Sequence, residues 1–105
     1  MSRAVPEVLD RALELSRELL AAAERGDSQA ATSLDAERLQ LLKSVRGGAG
    51  ALDEQGRRTM RDIALLNDQS IGRLEHHRRI KGRELDMAAV GRRAVAAYST
   101  TNGRR

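Results

Sequence analysis

The sequence predicts an all-α protein, an antiparallel helical hairpin packed on a long third helix, and leaves open a short fourth helix at the C-terminal end. Three observations favour this class. The 105 residues are rich in Leu, Ala, Glu and Arg and include no Phe or Trp, a composition typical of long helices. Pro6 is the only proline, so no obligatory helix breaker follows it. The long apolar patterns repeat every three or four residues, which is the spacing of one helix face.

The first helix is predicted over residues 6–25. Pro6 suits its first turn, where the missing N–H would have no partner. Gly26 is expected to end it and Asp27 to cap the next helix, and so short a link forces an antiparallel hairpin. Its inward face is predicted from residues at helical spacing: Val5, Val8, Leu9, Ala12, Leu13, Ser16, Leu19, Leu20 and Ala23.

The second helix is predicted over residues 28–46, with one apolar side formed by Ala31, Leu34, Leu41, Leu42 and Val45. The run Gly-Gly-Ala-Gly at 47–50 ends it. Because this run lacks the Lys-Ser/Thr of a phosphate loop and follows a helix, we interpret it as a connector. We expect the side chains of Leu20 and Leu41 to be buried.

The third helix is predicted to begin at Asp53 and Glu54, with ion pairs to Arg57 and Arg58 respectively. Its apolar positions are Met60, Ile63, Leu66, Ile71, Leu74, Ile80, Leu85, Ala88, Val95 and Tyr98. Unbroken from residue 53 to 98, it would be about 69 Å long, against roughly 30 Å for each earlier helix. The apolar stripe therefore outruns the hairpin.

An uncovered apolar stripe must bend back, self-associate or bind another protein. Gly72, Gly82 and Gly91 are its weak points, because each glycine costs about 1 kcal/mol in a helix interior. A fourth helix folding back near residues 83–98 is therefore one expected outcome. We predict one helical domain over residues 1–98 and a flexible basic tail over 99–105.

The net charge of +4 comes from the C-terminal end of the chain. Residues 1–86 hold 15 basic and 15 acidic residues, which cancel, and the excess is Arg92, Arg93, Arg104 and Arg105. The absence of cysteine excludes disulfides and thiolate metal sites. No apolar signal core and no run of about 20 apolar residues is present, so we expect a cytoplasmic protein without membrane insertion.

No catalytic or metal-binding pattern is evident in the sequence. His76 and His77 are adjacent, so on a helix they project about 100° apart and cannot hold one metal ion together. We interpret Glu75 as an ion-pair partner of Arg79. The sequence therefore predicts no enzymatic activity, no cofactor and no metal.

Residues 57–83 contain eight basic and three acidic residues, which we interpret as a basic stripe: Arg57, Arg58, Arg61, Arg73, Arg78, Arg79, Lys81 and Arg83. No helix-turn-helix spacing accompanies it, and Tyr98 is the only aromatic residue that could stack on a base. We therefore favour a solvated face, or a surface that steers an acidic protein partner, over nucleic-acid binding.

The end of the third helix resembles a known family. Gly91-Arg92-Arg93-Ala94-Val95-Ala96-Ala97-Tyr98 is similar to the G-R-R/K-A-x-x-A-Y ending of FliT-type flagellar export chaperones. The order of the preceding motifs also agrees: Leu-Ser-Arg-Glu-Leu-Leu-Ala-Ala-Ala in the first helix, then Gly26-Asp27, then Glu37-Arg38 followed by Leu41-Leu42. The resemblance extends over residues 8–98.

This resemblance implies a small cytoplasmic chaperone that binds the C-terminal region of the flagellar filament-cap protein, keeps it soluble and delivers it to the type III export apparatus. The export ATPase complex and the flagellar transcription regulator are further implied partners. Leu41, Leu42 and Val45 would be core residues. The partner surface would lie in the second half of the third helix, where we predict Leu74, Ile80, Leu85, Met87, Val90, Val95 and Tyr98.

Three alternatives remain open at the level of sequence. The first is a chaperone for hook–filament junction proteins, and the second is a basic helical protein that binds nucleic acid. The third is a self-associating coiled coil, which includes a homodimer. Within the chaperone hypothesis, residues 83–98 either cover the client groove or form part of it.

Overall fold

The computed structural model describes the backbone of residues 4–47 and 52–103 and the side chains of residues 4–45 and 52–97. It contains three α-helices: α1 is Val5–Glu24, α2 is Ser28–Gly47 and α3 is Glu54–Gly103. No strand occurs in these ranges. The predicted all-α class, a helical hairpin with a long third helix, is confirmed.

The third helix is continuous over 50 residues, so residues 83–98 belong to α3 and form no separate fourth helix. Its internal glycines weaken a helix without ending it, because glycine keeps the backbone N–H that proline lacks. Residues 99–103, which we had assigned to a flexible tail, are also helical. Arg104 and Arg105 of that tail lie outside the described residues.

The chain divides into two compact units, Met1–Leu74 and Glu75–Arg105, where the sequence predicted one domain over residues 1–98. The first unit contains α1, α2 and the beginning of α3, and the second contains the remainder of α3. The boundary falls inside a helix. For that reason, no linker-like composition marks the boundary in the sequence.

The turn between α1 and α2 follows the prediction closely. Gly26 has a φ of 70°, a left-handed conformation that favours glycine. Its N–H donates to the carbonyl of Ala23 at 3.0 Å, and the N–H of Asp27 donates to that of Ala22 at 2.9 Å, the two bonds of a Schellman motif. Oδ1 of Asp27 then accepts the N–H of Ala30 at 3.0 Å and caps α2.

The start of α3 differs in part from its prediction. Asp53 caps the helix, since its Oδ1 accepts the backbone N–H three residues later at 2.7 Å. Glu54 pairs with Arg58 at 3.7 Å as predicted. The guanidinium of Arg57 instead donates to the carbonyl of Leu52 at 2.7 Å. The predicted pair between Asp53 and Arg57 is therefore wrong, because the carboxylate serves the cap.

The core of the first unit is built largely from small and aliphatic side chains. Leu19 and Ala22 of α1 form a buried cluster with Ala31 of α2, and Leu34 and Leu74 pack against it. All three helices thus contribute to one core. The buried residues are Val8, Leu9, Ala12, Leu15, Ser16, Leu19, Ala22 and Ala23 of α1, Ala31 and Arg38 of α2, and Gly56, Thr59, Ile63 and Ser70 of α3.

The buried face of α1 is rotated from the predicted one. Leu15 is fully buried although the predicted face does not include it, whereas Leu20 is only half-buried. Leu20 projects about 100° from Leu19, which places it at the edge of the contact. Leu41 in α2 is likewise half-buried, and Ile71 in α3 is exposed while the preceding Ser70 is buried. The predicted and the buried face of α1 share six residues, and the buried face is rotated by about 40° from the predicted one.

Candidate functional site

A buried arginine joins the three helices of the first unit. Nη2 of Arg38 donates to Oδ1 of Asn67 in α3 at 2.7 Å and to the carboxylate of Asp35 one turn earlier in α2. Nη1 donates to Oγ of Ser16 in α1 at 3.5 Å. Because a buried charge is tolerated only when it is paired and hydrogen-bonded, this group is a structural centre that fixes how the helices align.

Asn67 acquires a role that the sequence did not reveal. It interrupts the apolar stripe of α3, yet its amide oxygen is the acceptor for the buried guanidinium of Arg38. The predicted core side of α2 contained only aliphatic residues and omitted Arg38. A charged residue near the middle of that side, together with a polar residue at a core position of α3, was the only signal available.

The predicted partner-binding residues do not form one surface. Leu74 packs against the core cluster of the first unit and is half-buried. Leu85, Met87, Val90 and Val95 are 60%, 75%, 60% and 66% exposed, and Ile80 is exposed as well. The side chain of Tyr98 lies outside the described ones. The exposed members of the predicted set therefore all follow Leu74.

Helix geometry separates these exposed residues into two faces. Successive residues project about 100° apart, so Met87 and Leu85 point about 160° apart. One arc of about 100°, here called the apolar face, contains Ile80, Met87, Val90, Ala94 and Ala97. Arg83 lies within that arc, Arg79 shares the edge that Ala97 occupies, and Tyr98 has its position at the other edge.

The opposite side of the same stretch mixes apolar and basic residues. This arc, here called the cationic face, contains Arg78, Lys81, Leu85, Ala88, Arg92 and Val95. All six side chains are exposed. The two predicted partner residues Leu85 and Val95 thus belong to a surface different in charge from that of Met87 and Val90.

The basic stripe predicted over residues 57–83 is not a single stripe. Arg78, Arg79, Lys81 and Arg83 are exposed, but their positions on one continuous helix distribute them around its axis. Arg79 also makes no salt bridge with Glu75 among the described residues. Both side chains are exposed, and an exposed ion pair gains too little to order two long side chains.

Within the described ranges, no group of three or more His, Asp or Glu residues is arranged to hold a metal ion. The rings of His76 and His77 have centroids 6.1 Å apart and are inclined by 66°. Over the same part of the chain, no helix combines the length and the apolar character needed to cross a bilayer. The candidate functional surfaces are the exposed faces of residues 78–97.

No family model, no curated protein and no solved structure matches this chain.

Proposed function

We propose that this protein is a cytoplasmic flagellar export chaperone, without catalytic activity, that binds the C-terminal region of the filament-cap protein. The observation that carries the proposal is the apolar face, where Ile80, Met87 and Val90 are exposed at helical spacing. Met87 and Val90 are neighbours on that face, and adjacent exposed aliphatic side chains offer a surface that another protein can bind. The resemblance of residues 91–98 to the FliT-type ending supplies the client class.

The spacing of the apolar face suits a helical client. Its positions 80, 87, 90, 94 and 97 follow the i, i+3, i+4, i+7 pattern by which two amphipathic helices interdigitate. Each large aliphatic side chain that becomes fully buried contributes about 1.5–3 kcal/mol before the entropy cost of association. Met87 and Val90, which are 75% and 60% exposed, have the most surface left to bury, whereas Ile80 is 37% exposed.

The same contact explains how a chaperone of this kind keeps its client soluble. An amphipathic client helix exposes its own apolar face until it is bound, and that face promotes aggregation. Covering it with Ile80, Met87 and Val90 removes both apolar surfaces from water together. Residues 83–97 then act as part of the binding surface.

Client binding tests the proposal directly. We expect the full chain to bind the C-terminal segment of the filament-cap protein in isothermal titration calorimetry. A Met87→Glu/Val90→Glu variant should bind it at least about tenfold more weakly, because two carboxylates would enter an apolar contact. Leu65→Glu, which adds one carboxylate outside the apolar face, is the control: Leu65 is 59% exposed, lies in the first unit and should change the affinity less than about twofold.

Two results would contradict the proposal. One is the absence of binding to the cap-protein segment, and the other is an equal loss of affinity in the Leu65→Glu control. Binding of a hook–filament junction protein in place of the cap protein would assign the client to the alternative class. The export ATPase complex and the flagellar transcription regulator belong to the proposal as further partners.

A further inference from the structure

We propose that the cationic face of α3 binds an acidic amphipathic helix of a second protein, on a surface separate from the apolar face. The six residues of this face are spaced by three and four, at positions 78, 81, 85, 88, 92 and 95. This alternation is the heptad spacing by which a helix packs along a partner helix. The proposal does not depend on the identity of the chaperone client.

The cationic face has a distinctive order of charged and apolar layers. Arg78 and Lys81 form a charged layer, and Leu85 and Ala88 form an apolar layer one heptad later. A third layer, at positions 92 and 95, combines one arginine with one valine. A complementary helix therefore carries two carboxylates, then two apolar residues, then one carboxylate beside an apolar residue.

The charges of the face have no internal compensation. Arg78, Lys81 and Arg92 make no salt bridge with any residue that the structure describes. Asp86 projects to the far side of the helix, and Glu84 lies at the edge of the arc without pairing with Lys81. Three exposed cations that share one face with three apolar residues thus complement carboxylates on a partner.

The position of the charges favours a protein over a membrane. Helices that lie on bilayers keep their basic residues at the flanks of a wide apolar face. Here Lys81 and Arg92 lie at the centre of the arc, where insertion would carry them into the acyl region. Nucleic acid is disfavoured because residues 75–97 contain no Phe, Tyr or Trp for base stacking, and their only rings are the imidazoles of His76 and His77.

The test uses the full chain and two synthetic helical peptides of about 20 residues. The first peptide has Glu opposite Arg78, Lys81 and Arg92 and Leu opposite Leu85, Ala88 and Val95. The second has Gln in place of each Glu and is otherwise identical. We expect the Glu peptide to bind more tightly, and its affinity to fall as salt is raised, since the paired charges are only partly buried.

Charge reversal on the protein supplies the matched comparison. Arg78→Glu/Lys81→Glu/Arg92→Glu should weaken binding of the Glu peptide by about 30-fold, the product of three modest ion pairs. The control Arg73→Glu/Arg79→Glu/Arg93→Glu makes the same net change in charge on exposed residues outside the face. It should weaken binding by less than about fivefold, through long-range charge alone.

Three outcomes would overturn the inference. The first is equal binding of the Glu and Gln peptides, and the second is an equal loss in the two triple variants. The third is binding of the chain to phosphatidylserine vesicles or to a single-stranded oligonucleotide through Arg78, Lys81 and Arg92, without binding of the Glu peptide. Circular dichroism of both variants confirms that the helices are intact.

Discussion

The two portions of α3 differ in burial although they belong to one helix. Residues 54–74 include the buried side chains of Ile63 and Ser70, whereas no side chain of residues 75–97 is buried. Helical hydrogen bonds are local and need no partner element, but burial does. In the first unit α1 and α2 supply that partner, so helix formation and core formation are separate consequences of the sequence.

Truncation of one leucine in each portion should give the largest difference between them. Leu15→Ala removes a fully buried side chain of the first unit and should lower the free energy of unfolding by about 2–5 kcal/mol. Leu85→Ala removes an exposed one and should change it by less than about 0.5 kcal/mol. Urea unfolding followed by circular dichroism measures both. Similar losses in the two variants would show that the second unit also contributes to the core.

Replacing the polar residue that interrupts the apolar stripe of α3 should lower the stability of the protein, even though the replacement extends that stripe. Asn67→Leu removes an acceptor from the buried guanidinium of Arg38 and should destabilise the protein by about 1–3 kcal/mol. Asp68→Leu, at the adjacent exposed position, serves as the control and should have little effect. A more stable Asn67→Leu variant in the same unfolding assay would mean that the hydrogen bond makes no net contribution to the free energy of unfolding.

Glycine replacements should act in opposite directions in the two units. Gly82→Ala meets no atom within 4 Å and should stabilise α3 by about 0.5–1 kcal/mol. Gly26→Ala forces a side chain into the left-handed conformation of the turn and should cost about 1–2 kcal/mol. Thermal melting compares the two variants. Stabilisation by both would be incompatible with the left-handed turn.

Local sequence signals predicted the helices and the turn between α1 and α2 well. Gly26 and Asp27 act within a few residues of themselves, so their roles follow from conformational preference and capping alone. The sequence predicted less well which leucines of α1 form the buried face, as Leu15 and Leu20 show. Several leucines lie close to that face, and only the orientation at which a neighbouring helix packs decides which of them are buried.

The polar centre and the two exposed faces required the structure. Arg38 and Asn67 are 29 residues apart, and no local rule pairs them. The partner-binding prediction grouped Leu85 with Met87 because both are apolar and near in sequence. A continuous helix places them on opposite sides, which the glycines at 72, 82 and 91 had left undecided.

The buried guanidinium of Arg38 has a consequence for folding during synthesis. Ser16 and Arg38 are only 22 residues apart, so their contact can form before the residues that contain Asn67 are synthesised. At about 5–20 residues per second, a ribosome completes residues 48–74 only about 1–5 s later. Throughout that interval water must solvate the side of Arg38 that Asn67 later covers. Full dehydration of the guanidinium therefore belongs to the docking of α3.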